Sequence, residues 1–165
     1  MFFSFSNTSP RFPILLIILT SLLVLITTFI LEHFFEVPIC RMCTIERYPY
    51  AIAALLGVFL YFFSENTPFY KWGKYLLLII FIVSLGLSFY HIGLEYEWFQ
   101  LPSFCQGESA KFDTVKDLRQ QILNQKTVIP CNIVPLRLFF LSLAEWNGIA
   151  SFFLLSISWK LLRKN

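Results

Sequence analysis

Apolar residues along this chain gather into four long runs, separated by segments that collect the acids, bases, prolines and cysteines. The first run covers Pro13 to Leu31, the second about Thr44 to Phe63, and the third Tyr75 to Leu94. The fourth is clean from Trp146 to Leu162, and Leu138 to Glu145 before it reads as an approach along the interface. A helix of about 20 mostly apolar residues crosses the hydrocarbon of a bilayer. Arg137, Glu145 and Asn147 make an earlier start of the fourth run costly, because ionised side chains are expensive at bilayer depth. The pattern predicts an all-α polytopic membrane protein, a four-transmembrane-helix bundle forming one membrane domain over 1–165. Its spans are expected at about 13–31, 44–63, 75–94 and 146–162, with outer loops 32–43 and 95–145 and a cytoplasmic loop 64–74. In the second outer loop Phe112, Val115, Leu118, Ile122 and Leu123 recur close to helical spacing. They predict a short amphipathic helix between Ser109 and Lys126, resting on the membrane surface or on the protein itself.

Composition supports lipid as part of the solvent. Of the 165 residues, 57% are hydrophobic and 14% charged, whereas soluble domains average about 45–50% and about 25%. A soluble globule of this length still exposes much of its surface and could not hide so many apolar side chains. The first run is preceded by Arg11 and ends in Glu32-His33-Phe34-Phe35-Glu36 with no small-x-small cleavage site. It therefore reads as a retained signal anchor. The formal charge of +3 is too small to suggest a nucleic-acid partner.

The distribution of that charge sets the orientation. The N-terminal tail, loop 64–74 and the C-terminal tail hold six basic residues (Arg11, Lys71, Lys74, Lys160, Arg163, Lys164) against the single acid Glu65. Segments 32–47 and 94–145 hold seven basic residues against nine acids. By the positive-inside rule both termini and loop 64–74 are expected in the cytoplasm of a bacterial inner membrane, with the long loops periplasmic.

All four cysteines fall in those outer segments: Cys40 and Cys43 in the first, Cys105 and Cys131 in the second. Disulfides form and persist in such an oxidising space. Cys40-Arg41-Met42-Cys43 is a CxxC, a spacing that depresses the thiolate pKa, and Arg41 and Arg47 add positive charge beside it. The thiolate is the attacking species, so the motif is suited to exchange. Cys105 and Cys131, 26 positions apart, would close a much larger loop. Two readings stay open on the cysteines alone: a redox relay, or a non-catalytic membrane protein stapled by two structural disulfides. Zinc fits poorly, because Cys105 and Cys131 are not a close pair and the only histidines are His33 and His91. A thioredoxin fold is excluded because this CxxC opens a membrane helix.

Arg47 shifts the balance towards the relay. It follows Cys43 by four residues and shares its helix face, which places a cation at the interface beside a thiol. Arginines at helix ends often only snorkel, yet a quinone oxygen becomes anionic as electrons arrive and a fixed cation stabilises it. Tyr48, Tyr50 and the end of the third run around Tyr90-His91 offer flat walls for a ring, although such aromatics are common in interfacial belts. Arg47 and His91 are thus the candidate cofactor contacts. A relative of vitamin K epoxide reductase would place its CxxC late in the bundle, not between the first two spans.

The segment CRMCTIERYPYAIA resembles the CxxC-x3-R that opens the second span in the disulfide bond formation protein B (DsbB) family. Tyr90-His91-Ile92-Gly93-Leu94-Glu95 is similar to the end of that family's third span, and Cys131 to Asn147 to the segment before its fourth. The resemblance covers nearly the whole chain in order. It implies a protein-disulfide oxidoreductase that reoxidises a periplasmic thiol oxidase of the DsbA type and passes electrons to ubiquinone or menaquinone. Cys105 would be attacked by the reduced partner, and the freed Cys131 would attack Cys40. Cys43 would then be released beside Arg47, facing the quinone.

Overall fold

The computed structural model describes residues 11–63, 67–106 and 129–163. Helix α1 spans Arg11–His33, a short α2 Arg41–Ile45, α3 Arg47–Phe62 and α4 Pro68–Glu95. A 3-10 turn at Ser103–Cys105 follows, then a two-residue hairpin, β1 Arg137–Leu138 with β2 Leu141–Ser142, and finally α5, Leu143–Arg163. The chain is a helical membrane protein. Helix α1, the run Arg41–Phe62 and α4 are each long and apolar enough to cross a bilayer. The amphipathic helix expected between Ser109 and Lys126 lies outside the described residues.

Local chemistry explains where these helices begin and break. Thr67 caps α4, its hydroxyl accepting the Tyr70 N–H at 3.3 Å, and Pro68 fills the first helical position, where its missing N–H costs nothing. The helix therefore starts seven residues before the apolar run. Pro49 has no N–H to give to the Ile45 carbonyl, and the second helix is broken at Glu46, between α2 and α3. At the head of α5 the Ser142 hydroxyl accepts the Glu145 N–H at 3.2 Å while the Glu145 carboxylate accepts the Ser142 N–H at 2.7 Å. This reciprocal capping box gives a use to an acid that hydropathy alone counts as a cost, and it starts the helix at Leu143.

Helix α1 packs mainly on α3, and α4 on α5, with α3 against α4 joining the two pairs. Ile14, Ile17, Tyr50, Ala53, Leu77, Phe81 and Leu154 form the buried centre. Small residues line the contacts: Ser21, Ser84, Ser88, Ser151 and Ser158 are all buried, and a methyl on Gly73 would fall 2.4 Å from the Leu60 side chain. In lipid, helices gain by packing and hydrogen bonding and not by hiding apolar surface, which favours small residues at their contacts. Conversely, Leu23, Ile26, Leu55, Phe59, Ile79, Val83, Phe152 and Phe153 face outward, as an apolar solvent permits.

Candidate active site

The site lies at the bundle end where α2 begins. Cys40 is extended (φ −88°, ψ 166°) and caps α2, its Sγ accepting the Cys43 N–H at 3.1 Å. One turn separates the two residues, and their sulfurs stand 2.6 Å apart, both cysteines being free. The two sulfurs are therefore placed to bond to each other when an oxidant removes two electrons.

Cys105 ends the 3-10 turn and is bonded to Cys131, with 5.2 Å between their Cα atoms. The Cys131 N–H also donates to the Cys105 carbonyl at 3.0 Å. A parallel bridge pairs Cys40 with Ile129, bringing the segment before Cys131 against the start of α2. Both pairs thus meet in one apolar cluster with Met42 and Leu94, in which Cys105 is 0% and Cys131 1% exposed.

His91 of α4 reaches into the same place. Its Nε2 lies 3.5 Å from Cys40 Sγ, and its Nδ1 lies 3.2 Å from Glu46 Oε1. All three side chains are buried. The donor atoms of Cys40, Cys43 and His91 lie within 4.8 Å of one another, two sulfurs and an imidazole with the softness a thiophilic ion prefers.

On the other side of Cys43 lies a cavity of about 370 Å³ between α1, α3 and α5. Cys43, Glu46, Arg47, Tyr50 and Asn147 line it among mainly aliphatic residues, with Leu31, Phe139 and Trp146 also in its wall. Arg47 pairs with Glu32 of α1 at 2.5 Å, and its Nε, though buried, has no hydrogen-bond partner among the described residues. Tyr50 donates to the Asn147 side-chain oxygen and lies 2.8 Å from the Ser151 hydroxyl. Asn147 donates in turn to Ser88 at 2.8 Å, and Ser151 meets Ser84 at 2.8 Å. This chain of polar groups ties α3, α4 and α5 together beneath the cavity.

Of the residues singled out in the sequence, Cys43, Arg47 and Tyr50 share the cavity wall. His91 does not line it and faces Cys40 instead, Tyr48 is exposed, and Tyr90 stacks on Phe99. Sequence reasoning passed over Glu46, Glu32 and Asn147. Glu46 carried the clearest signal, an acid between a CxxC and an arginine at the start of an apolar run.

One bridged and one open cysteine pair, meeting at the end of a membrane helix bundle, define a membrane-embedded thiol–disulfide exchange protein. The chain matches the model of the family described as disulfide bond formation protein DsbB over residues 10–161, and it belongs to that family. No curated protein and no solved structure matches it. Membership gives the chain a role in disulfide bond formation and a thiol–disulfide oxidoreductase activity.

Proposed function

We propose that this protein draws electrons from a soluble thiol oxidase of the DsbA type and passes them through its two cysteine pairs to a membrane quinone. The observation that carries the reading is the position of the Cys40–Cys43 pair. Cys40 packs against the Cys105–Cys131 bridge, while Cys43 lines an apolar cavity together with a cation, Arg47.

Exchange proceeds by thiolate attack on a disulfide sulfur. The partner's thiolate attacks Cys105, forming a mixed disulfide and freeing Cys131. Cys131 attacks Cys40 of the closed Cys40–Cys43 bridge, and Cys43 is released as a thiolate at the cavity wall. The partner's second thiol leaves with its own disulfide closed, the Cys105–Cys131 bridge re-forms, and Cys40 is freed to close again on Cys43.

The cavity fits a quinone in kind. Small-molecule pockets are mostly apolar, of about 300–1,000 Å³, with a few placed polar groups, and here the buried Arg47 Nε has no hydrogen-bond partner among the described residues. Arg47 would hold a ring oxygen, with the aliphatic residues of α1 and α5 against the ring and tail. A quinone bound there would supply the acceptor for two electrons and two protons. Arg47 stabilises negative charge developing at that oxygen, and the surrounding apolar wall keeps water from the sulfur. Ubiquinone and menaquinone both suit this chemistry. The charge asymmetry of the chain supports cytoplasmic termini and periplasmic cysteine segments in the bacterial inner membrane.

The test is turnover of purified protein with a reduced DsbA-type partner and a short-tailed quinone. Quinone absorbance should fall in step with partner oxidation, and a Cys43→Ser protein supplies the background. Turnover no greater than that background would sink the reading.

A further inference from the structure

With Cys43 released as a thiolate, the Cys40 thiol proton must still leave as the sulfurs bond, and the two sulfurs differ in where a proton can go. Cys43 lines the cavity. Cys40 does not, and it is 3% exposed. Apart from Cys43, the only side chain among the described residues that offers its sulfur a hydrogen-bonding atom is His91, through Nε2. His91 in turn meets Glu46, and Glu46 lines the cavity. A contact chain therefore runs from Cys40 Sγ through both imidazole nitrogens to a carboxylate at the cavity wall. Glu46 and His91 are 6% and 2% exposed. Such a pair is expensive at bilayer depth, and well-packed apolar residues of similar volume are often as stabilising or more so. Packing alone does not account for it.

We propose that His91 and Glu46 form an internal proton path that carries the Cys40 thiol proton into the cavity as the Cys40–Cys43 disulfide closes. The inference rests on the quinone reading above. The Nδ1–H donates to the Glu46 carboxylate and fixes the tautomer, leaving the Nε2 lone pair facing Cys40. On closure the Cys40 S–H bond breaks and its proton passes to Nε2. The Nδ1 proton passes to Glu46, and the S–S bond forms. The two electrons of the pair and one proton by way of Glu46 go towards reduction of a quinone to a quinol; Cys43, released as a thiolate, brings no proton, and the second proton comes from solution. His91 touches a reacting sulfur, and Glu46 acts through His91 and the cavity.

A protein with Cys105→Ser and Cys131→Ser isolates the membrane-facing pair for the test. Without quinone, infrared spectra of its reduced form should show a Cys40 S–H stretch lowered by hydrogen bonding. His91→Gln should move that band. On mixing with a short-tailed ubiquinone, closure should slow by about 100-fold in Glu46→Gln and in His91→Gln, within the range for loss of a positioned proton carrier. Quinone Kd should stay within about threefold, as expected where transfer and not uniform binding is lost, and Glu46→Asp should recover most of the rate. An S–H band indifferent to His91→Gln, or closure rates equal to the parent's, overturns the proposal. So does a rate loss matched by an equal loss of quinone affinity, which would make the pair a structural or ligand contact. If the parent pair itself fails to reduce the quinone, the functional reading falls and takes the path's destination with it.

Discussion

Replacing Arg47 with glutamine removes the only cation among the described residues lining the cavity, and two consequences must be separated. The first is chemical. One preorganised donor aimed at a developing oxyanion is worth about 2.7–4 kcal/mol, or about 100- to 1,000-fold in rate. The second is structural, since Glu32 loses its ion pair with Arg47. The pair's side chains are 22% and 10% exposed, between the surface limit of about 0–1 kcal/mol and the about 3–5 kcal/mol cost of breaking a fully buried pair. A loss of about 2 kcal/mol in stability is the expectation between those limits. The double variant Glu32→Gln/Arg47→Gln removes the acid's charge without restoring the cation. Quinone reduction is followed by absorbance, and exchange between a reduced partner and the Cys105–Cys131 bridge is followed separately by acid trapping. Arg47→Gln should lower quinone reduction about 100- to 1,000-fold while exchange stays within about threefold, and the double variant should regain stability but not reduction. An equal fall in both reactions, or recovery of reduction in the double variant, would refute the electrostatic role.

A partner whose second cysteine is replaced by serine should attack the Cys105–Cys131 bridge and stay attached to Cys105, because it has no thiol left to complete its own disulfide; the adduct is read on a non-reducing gel, and Cys105→Ser should abolish it. Tyr50→Phe takes the hydroxyl donor from the Asn147 side-chain oxygen, while Ser151 keeps Ser84, and should cost about 1–2 kcal/mol in unfolding measurements in detergent. Gly73→Ala drives a methyl into Leu60, itself 1% exposed, and should destabilise by about 1–3 kcal/mol. Adding Leu60→Ala should leave the double variant less destabilised than Leu60→Ala and Gly73→Ala predict by addition.

The bundle was legible because lipid imposes a simple rule, that a span must be long and apolar. Its ends were less so. The apolar run begins at Tyr75 because Lys71 and Lys74 interrupt it, yet the helix begins at Pro68, where the Thr67-Pro68 cap decides. Hydropathy treats Glu145 only as a charge, whereas Ser142 makes it half of a cap. In the site, CxxC and Arg47 lie within eight residues and their association is visible in the sequence. Glu32 with Arg47 and His91 with Cys40 are 15 and 51 residues apart, and only helix packing brings them together. His91 was read as a wall for the ring because its position at the end of a span fits either role. The direction of its two nitrogens belongs to the folded chain alone.

The burial of the Cys105–Cys131 bridge makes it an insulated terminal. Small thiols such as glutathione can discharge a disulfide only by reaching a sulfur along the axis of its bond, and here neither sulfur is offered to solution. A passing reductant therefore finds no contact, and on the proposed reading current would not leak into the quinone pool from thiols that carry no cargo. On the proposed reading, a protein donor must first uncover Cys105 at the 103–105 turn. Selectivity among donors would then be set by the work of uncovering that sulfur, and a donor's redox potential would matter only after it has been admitted.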